Sequence, residues 1–196
     1  MVILLILTSA QHLSAKIHMS KQEFLNLISA QDVSFRASDF RTKTLWLDKN
    51  TQKEIKNILN HKYPKLRLRY ETSQKITQNT GTDSPLNHTT VWFLDEIGKE
   101  RPISFAVAVK NNRIRAIRVL EFRESRGYEI KLPAFAQQFK QIGVDQNGRL
   151  DHNIDGITGA TMSVRAMKKI SRVALMLHKK VLVVQSSEPI NSDEQE

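Results

Sequence analysis

The sequence predicts an α+β fold in which an antiparallel sheet packs against helices. Residues 89–122 contain three short segments rich in β-branched and apolar residues, separated by turn residues, which is typical of a strand meander. Residues 162–179 then carry apolar side chains at helical spacing, with basic residues on the other side. Because the strands come first and the helix follows, we expect strands and helices to be segregated rather than alternating.

The meander is predicted as strands at 89–95, 103–109 and 114–122. Gly98 lies in the first turn, and Asn111 and Asn112 form the second, since asparagine tolerates positive φ. A helix over 132–142 with Pro133 at its start, a loop over 143–153 and a short edge strand at 181–184 complete this part. The polar tail, residues 185–196, is predicted to be disordered.

The N-terminal half shows weaker patterns. Ser20 and Glu23 have the spacing of a capping box for a helix over 20–29, and Thr51 and Glu54 repeat it for a second helix. Apolar residues alternate with arginines over 66–70, which predicts a strand, and 72–87 has the composition of a loop. We therefore expect a helical extension and linker over 16–87.

The first fifteen residues contain an unbroken apolar run, 2–7, followed by small residues. This pattern is typical of a secretory signal segment and predicts export to the periplasm or beyond, with cleavage near Ala10 or Ala15. A buried strand or helix end is the alternative interpretation of the same run.

Composition excludes several kinds of site. The chain has no cysteine, so disulfides, Cys-ligated iron–sulfur clusters and c-type haem attachment are ruled out. The six histidines show no paired ligand spacing, and we predict no metal site. The net charge of +10 favours an anionic partner, whether nucleic acid, acidic lipid, acidic protein or a phosphate cofactor, without choosing among them.

The most informative stretch stands directly before the predicted C-terminal helix. It reads Asp155, Gly156, Ile157, Thr158, Gly159, Ala160, Thr161, followed by Met162 and Ser163. The glycines permit unusual backbone conformations, and the first turn of the helix offers unpaired N–H groups and a positive dipole end, which suit a phosphate. A plain glycine turn before a Thr- or Ser-capped helix fits the spacing as well.

This stretch resembles the flavinylation motif of the FMN-binding domain family, which includes the C subunit of the sodium-translocating NADH:quinone reductase and the G subunit of the Rnf complex. Its pattern is Asp, two residues, Ser/Thr, Gly, Ala, Thr/Ser, and five positions match: Asp155, Thr158, Gly159, Ala160 and Thr161. The resemblance implies FMN joined through a phosphoester to Thr161 by a flavin transferase that uses FAD and recognises Asp155 and Thr158. It also makes 88–184 the FMN-binding domain.

The resemblance extends upstream to a Glu-Thr-Pro-Gly-like segment. The corresponding residues are Glu124, Ser125, Arg126, Gly127 and Tyr128, with arginine in place of the usual proline. The family implies that this segment approaches the flavin ring, where Tyr128 would contact it and Arg126, together with Arg123, would place positive charge nearby.

The resemblance implies an electron carrier whose partner is a redox protein, such as a membrane reductase or a cytochrome, rather than a stand-alone catalyst. A basic nucleic-acid-binding domain without a cofactor is the alternative that charge alone suggests, although the sequence has no nucleic-acid-binding signature and we predict no such partner. A non-catalytic flavin-binding sensor or scaffold is a third possibility.

Overall fold

A computed structural model describes residues 16–32, 36–73 and 88–187. The predicted signal segment, residues 74–87 of the predicted loop and residues 188–196 of the predicted tail lie outside the described residues. Among the helices of the described part, none is long and apolar enough to cross a membrane.

A six-stranded antiparallel sheet with the order β1-β6-β5-β4-β3-β2 forms the centre of the fold. The strands are β1 (Lys16–Ile17), β2 (Arg41–Trp46), β3 (Arg67–Ser73), β4 (Thr89–Ile97), β5 (Pro102–Lys110) and β6 (Arg113–Phe122). Strands β4 to β6 confirm the predicted meander and are only slightly longer than predicted. Asn111 and Asn112 form the predicted turn, with φ of 54° and 55°.

The N-terminal region contributes strands to this same sheet in addition to helices. Strand β3 confirms the alternation over 66–70 and pairs with β4. Strand β2, which the sequence did not indicate, pairs only with β3 and forms an edge of the sheet. Nearly every residue of β2 is exposed, so the strand has no alternation of buried and exposed positions that could reveal it.

The first two helices begin at side-chain caps. Helix α1 (Lys21–Gln31) has the predicted capping box, in which the Glu23 amide donates to Ser20 Oγ at 3.1 Å. Helix α2 (Lys49–Leu59) begins two residues earlier than predicted, because Asp48 and not Thr51 is its cap. Asp48 Oδ1 accepts from the Thr51 amide at 2.6 Å, and this hydrogen bond lowers the pKa of the Asp48 carboxyl.

The last two helices differ from prediction in length. Helix α3 (Pro133–Gln137) is a short segment that gives way to turns, where the sequence predicted a helix to 142. Helix α4 (Thr161–Ser187) continues through 181–184, so the edge strand predicted there is wrong. The helix persists because Val181, one turn after Leu177, continues its buried stripe against the sheet.

Helices cover both faces of the sheet. Helices α2, α3 and α4 pack on one face, and α1 packs on the other face over β4 to β6. A buried polar contact fixes α4 on β4: the Thr90 hydroxyl lies 2.7 Å from His178 Nδ1 and accepts from Trp92 Nε1. Burial lowers the pKa of His178 to about 4, so its ring is neutral at pH 7 and Nδ1 can accept from Thr90.

Candidate functional site

The predicted attachment residue lies where a loop enters the longest helix. Thr161 is the first residue of α4, and it is exposed. Its neighbour Ala160 is 3% exposed, donates to the Ile157 carbonyl at 3.0 Å and accepts from the Val164 amide at 3.0 Å. Gly159 completes this tight turn with φ of 81°, a conformation that favours glycine. The buried backbone thus holds the Thr161 side chain at the surface.

The loop has room for a phosphate. A Cβ placed on Gly156 or Gly159 would have no heavy atom within 4 Å, so the space beside both residues is open. In the described part of the chain, no acceptor is seen for the first-turn amides at 161–163. These amides and the positive end of the helix dipole suit a phosphodiester joined to Thr161, so the residues present fit FMN.

Two hydrogen bonds to its backbone hold the loop in place. Gln138 Oε1 accepts from the Asp155 amide at 2.9 Å, and Lys168 Nζ donates to the Ile154 carbonyl at 2.7 Å. The exposed Asp155 carboxylate takes no part in holding the loop. A carboxylate that shapes a turn behaves differently in this protein: Asp145 Oδ1 accepts from two amides of its own turn, at 2.9 and 2.8 Å.

The upstream segment, residues 124–128, packs directly against the loop at 154–160, which we call the attachment loop. Gly127 has φ of 84°, and a Cβ built on it would lie 2.9 Å from Ser163 Oγ and 3.0 Å from Ala160 Cβ. The structure therefore brings Gly127 beside the start of α4, and only glycine fits there without displacing its neighbours. Ser163 is 4% exposed and belongs to this packing contact, while Met162 and Thr158 face outward.

Glu124 and Arg123 belong to the neighbouring strand turn. Glu124 Oε1 accepts from the amides of Glu100 and Arg101 at 2.8 and 2.9 Å, which fixes the turn between β4 and β5. Arg123 donates to the Pro102 carbonyl and pairs with Glu121. Both side chains are thus committed to the sheet, which leaves Ser125, Arg126 and Tyr128 as the exposed side chains of the segment.

A lysine that the sequence did not indicate lies beside Tyr128. Lys131 Nζ is 5.5 Å from the centre of the Tyr128 ring, 5.4 Å from that of Phe122 and 3.1 Å from His18 Nε2. The 3-10 turn Tyr128–Lys131 and strand β1 bring these side chains together. No local sequence pattern predicts this contact, because His18 and Lys131 are far apart in the sequence.

The rest of the described structure offers no stronger candidate. A cavity of about 710 Å³ lies between α2, α4 and the loop at 143–148, and none of the motif residues lines it. Within 16–32, 36–73 and 88–187, no group of three His, Asp or Glu side chains could hold a metal ion.

The fold and the attachment loop together define a flavin-binding domain, and comparison with known proteins agrees. Residues 98–176 match the FMN-binding domain family. This match, together with the fold, supports a flavoprotein that takes part in electron transfer.

One solved structure that the chain resembles is the crystal structure of Shewanella oneidensis NqrC. The two share 14% identity with a TM-score of 0.59, over 86% of this chain and 99% of the other. At this identity the likeness shows the fold. No curated protein matches the sequence.

Proposed function

We propose that the protein carries FMN joined through a phosphoester to Thr161 and transfers electrons between redox partners. The observation that supports this most directly is the exposed Thr161 side chain on the first turn of α4, beside an open loop with unpaired amides. Full-length protein produced together with a flavin transferase should gain about 438 Da, the mass of FMN less water, a covalent addition of the cofactor.

The attachment step is a phosphoryl transfer. Thr161 Oγ1 forms a bond to the phosphorus of the FMN half of FAD, the bond from that phosphorus to the bridging oxygen breaks, AMP leaves with this oxygen, and the hydroxyl proton is released. Bound FMN supplies the electron-transfer chemistry. The chain itself would present the Thr161 hydroxyl and offer the first-turn amides of α4 to the phosphodiester charge. Tyr128, Met162 and Arg126 would lie near the flavin ring.

We propose that the flavin transferase recognises Asp155. Since its carboxylate holds no part of the loop, Asp155→Ala should lower the yield of flavinylated protein sharply while the circular dichroism spectrum stays unchanged. Asn153→Ala, a change at an exposed residue of the same loop, serves as the control and should be flavinylated normally. Near wild-type yield in Asp155→Ala would remove this role.

Arg126 is proposed to raise the flavin potential. It is exposed, no ion pair holds it in the described part of the chain, and it precedes the glycine that contacts the attachment loop. Arg126→Glu should lower the midpoint potential, because negative charge develops on the ring on reduction. Charge reversal at a dielectric near 20 or above is worth about 1–2 kcal/mol, or roughly 20–45 mV for two electrons.

Potentiometry on the flavinylated variant measures this shift. Arg149→Glu reverses an exposed charge in the turn at 145–149, whose hydrogen-bonded amides donate within the turn itself, and should leave the potential unchanged. Equal potentials in Arg126→Glu and the wild type would exclude Arg126 from the ring environment.

Export and the redox partner are also proposals. The apolar start of the chain supports export, and the fold shared with NqrC, the C subunit of a sodium-translocating reductase, supports a partner in a membrane redox complex or a cytochrome. Intact mass of the protein from the periplasmic fraction is expected to show a new N-terminus near Ala10 or Ala15. Cytoplasmic protein that retains Met1 would rule export out.

A further inference from the structure

Three large apolar side chains protrude from neighbouring strand ends. Trp46 at the end of β2 is 67% exposed, Leu66 just before β3 is 62% exposed, and Ile97 at the end of β4 is 52% exposed. By the register, Trp46 and Ile97 lie on one face of the sheet and Leu66 on the other, so exposed apolar side chains flank this end on both faces. Exposed apolar residues that gather at one end of a protein are typical of interaction surfaces. We refer to these three residues as the apolar tip.

The register shows that the tip lies at one end of the sheet. Trp46 pairs with Arg67, the first residue of β3, and Lys65 Nζ lies 3.1 Å from Asp95 Oδ2 near the end of β4. Adjacent strands are about 4.8 Å apart, so the tip spans about 10 Å across β2, β3 and β4.

Positive charge surrounds the tip. Residues 41–69 contain nine Lys and Arg against two Asp and Glu. Nine minus two gives this segment a net charge of +7, which is most of the +10 of the whole chain. The acidic side chains near the tip, Asp95 and Glu100, each lie beside a lysine, at 3.1 and 3.7 Å. The exposed cations at this end are Lys62, Lys65, Arg67, Lys99 and Arg101.

The attachment loop lies at the same end of the sheet. The turn that follows Ile97 is held by Glu124, and the segment after Glu124 brings Gly127 against Ala160 at the start of α4. Tyr128 and Met162, 57% and 43% exposed, lie on this side as well. A flavin on Thr161 and the apolar tip would therefore lie at the same end of the protein.

We propose that this end of the protein docks on the surface of an anionic lipid bilayer, with the apolar tip at the headgroup level. Tryptophan beside lysine and arginine suits that interface, where the ring enters the apolar boundary and the cations meet lipid phosphates. The tip projects from strand ends, and a bilayer accepts such a protrusion without a matching pocket. The Arg67 guanidinium lies over the Trp46 ring, 5.7 Å from its centre, and so covers one face of the ring. A nucleic-acid base would need a free ring face to stack on, so this contact disfavours nucleic acid as the partner.

Docking here would place the flavin beside the membrane, where a membrane redox partner could reach it. Only this consequence rests on the proposed function. The docking itself needs no flavin, so it can be measured on full-length protein with and without FMN. An absent adduct would overturn the proposed function and leave the vesicle result unaffected.

Vesicle sedimentation and tryptophan quenching test the docking. Full-length protein should sediment with phosphatidylglycerol vesicles at low salt, be released at high salt, and stay in solution with phosphatidylcholine vesicles. Trp92 is fully buried, so Trp46 alone can reach the lipid. Brominated lipid should therefore quench Trp46 fluorescence, and Trp46→Phe should lose the quenching.

Two charge reversals separate the tip from the overall charge. Arg67→Glu should weaken binding to phosphatidylglycerol vesicles about fivefold or more, whereas Arg149→Glu, in the turn at 145–149, should change it far less. Absence of binding, equal losses in the two variants, or binding without quenching of Trp46 would each overturn the proposal. So would binding to a DNA duplex that displaces the vesicles and depends on Arg67.

Discussion

Thr161→Ala is expected to abolish covalent flavin while the protein still folds. The FMN phosphate needs an exposed hydroxyl to which it can be joined, and Thr161 presents one on the first turn of α4, where the attachment loop ends. Removing one helix-start hydroxyl costs about 1 kcal/mol. Intact mass should show the unmodified chain, and the circular dichroism spectrum should match that of the wild type.

Two variants make this result specific. Thr161→Ser keeps a hydroxyl at the same atom position and should restore the adduct. Thr158→Ala removes a second exposed hydroxyl from the loop and should leave FMN on Thr161. Ser163 competes poorly because it is 4% exposed and packed against Gly127. An adduct that peptide mapping places outside Thr161 would contradict the assignment.

The parts of the fold that the sequence predicted well are those in which local pattern and packing agree. Strands β4 to β6 are buried in the sheet, and short turns with Gly98 and Asn111 separate them clearly. Helix α1 begins at the predicted capping box because Ser20 and Glu23 satisfy each other's amides locally.

Long-range packing decided the parts that the sequence missed. Strand β2 is an edge strand with polar, exposed residues, and only its pairing with β3 fixes it. Residues 181–184 are β-branched and leucine, which suits a strand, but Val181 continues the buried stripe of α4. Tertiary contacts overrode local propensity at both places.

The same distinction applies to the candidate site. The attachment loop is continuous in sequence, so its motif indicated Thr161 and the glycine at position 159 directly. The surroundings come from separate elements: the carboxylate of Glu124 holds a turn of the sheet, and Lys131 lies near Tyr128 through contacts with Phe122 and His18. Such roles depend on chain topology, which spacing alone does not show.

Lys169→Met is expected to lower the free energy of unfolding by about 3 kcal/mol. Glu96 has a side chain only 1% exposed, and its two oxygens meet Lys169 Nζ at 3.0 Å and His61 Nε2 at 2.9 Å. Lys169 Nζ also donates to the Leu59 carbonyl at 2.6 Å. Methionine keeps the stem of the side chain but leaves a buried carboxylate with one partner, and this unpaired charge is the source of the cost.

Lys65→Met supplies the matched control, because its partner Asp95 stands next to Glu96 on β4. Its partner Asp95 and Lys65 itself are 44% and 50% exposed, so water replaces the lost ion pair and the cost should stay below about 1 kcal/mol. Urea unfolding of both variants measures the difference, and equal losses would contradict it. A large loss confined to Lys169→Met would mean that the end of α2 and His61 fold as one unit with α4. Glu96 would then be the residue that holds these elements and β4 together.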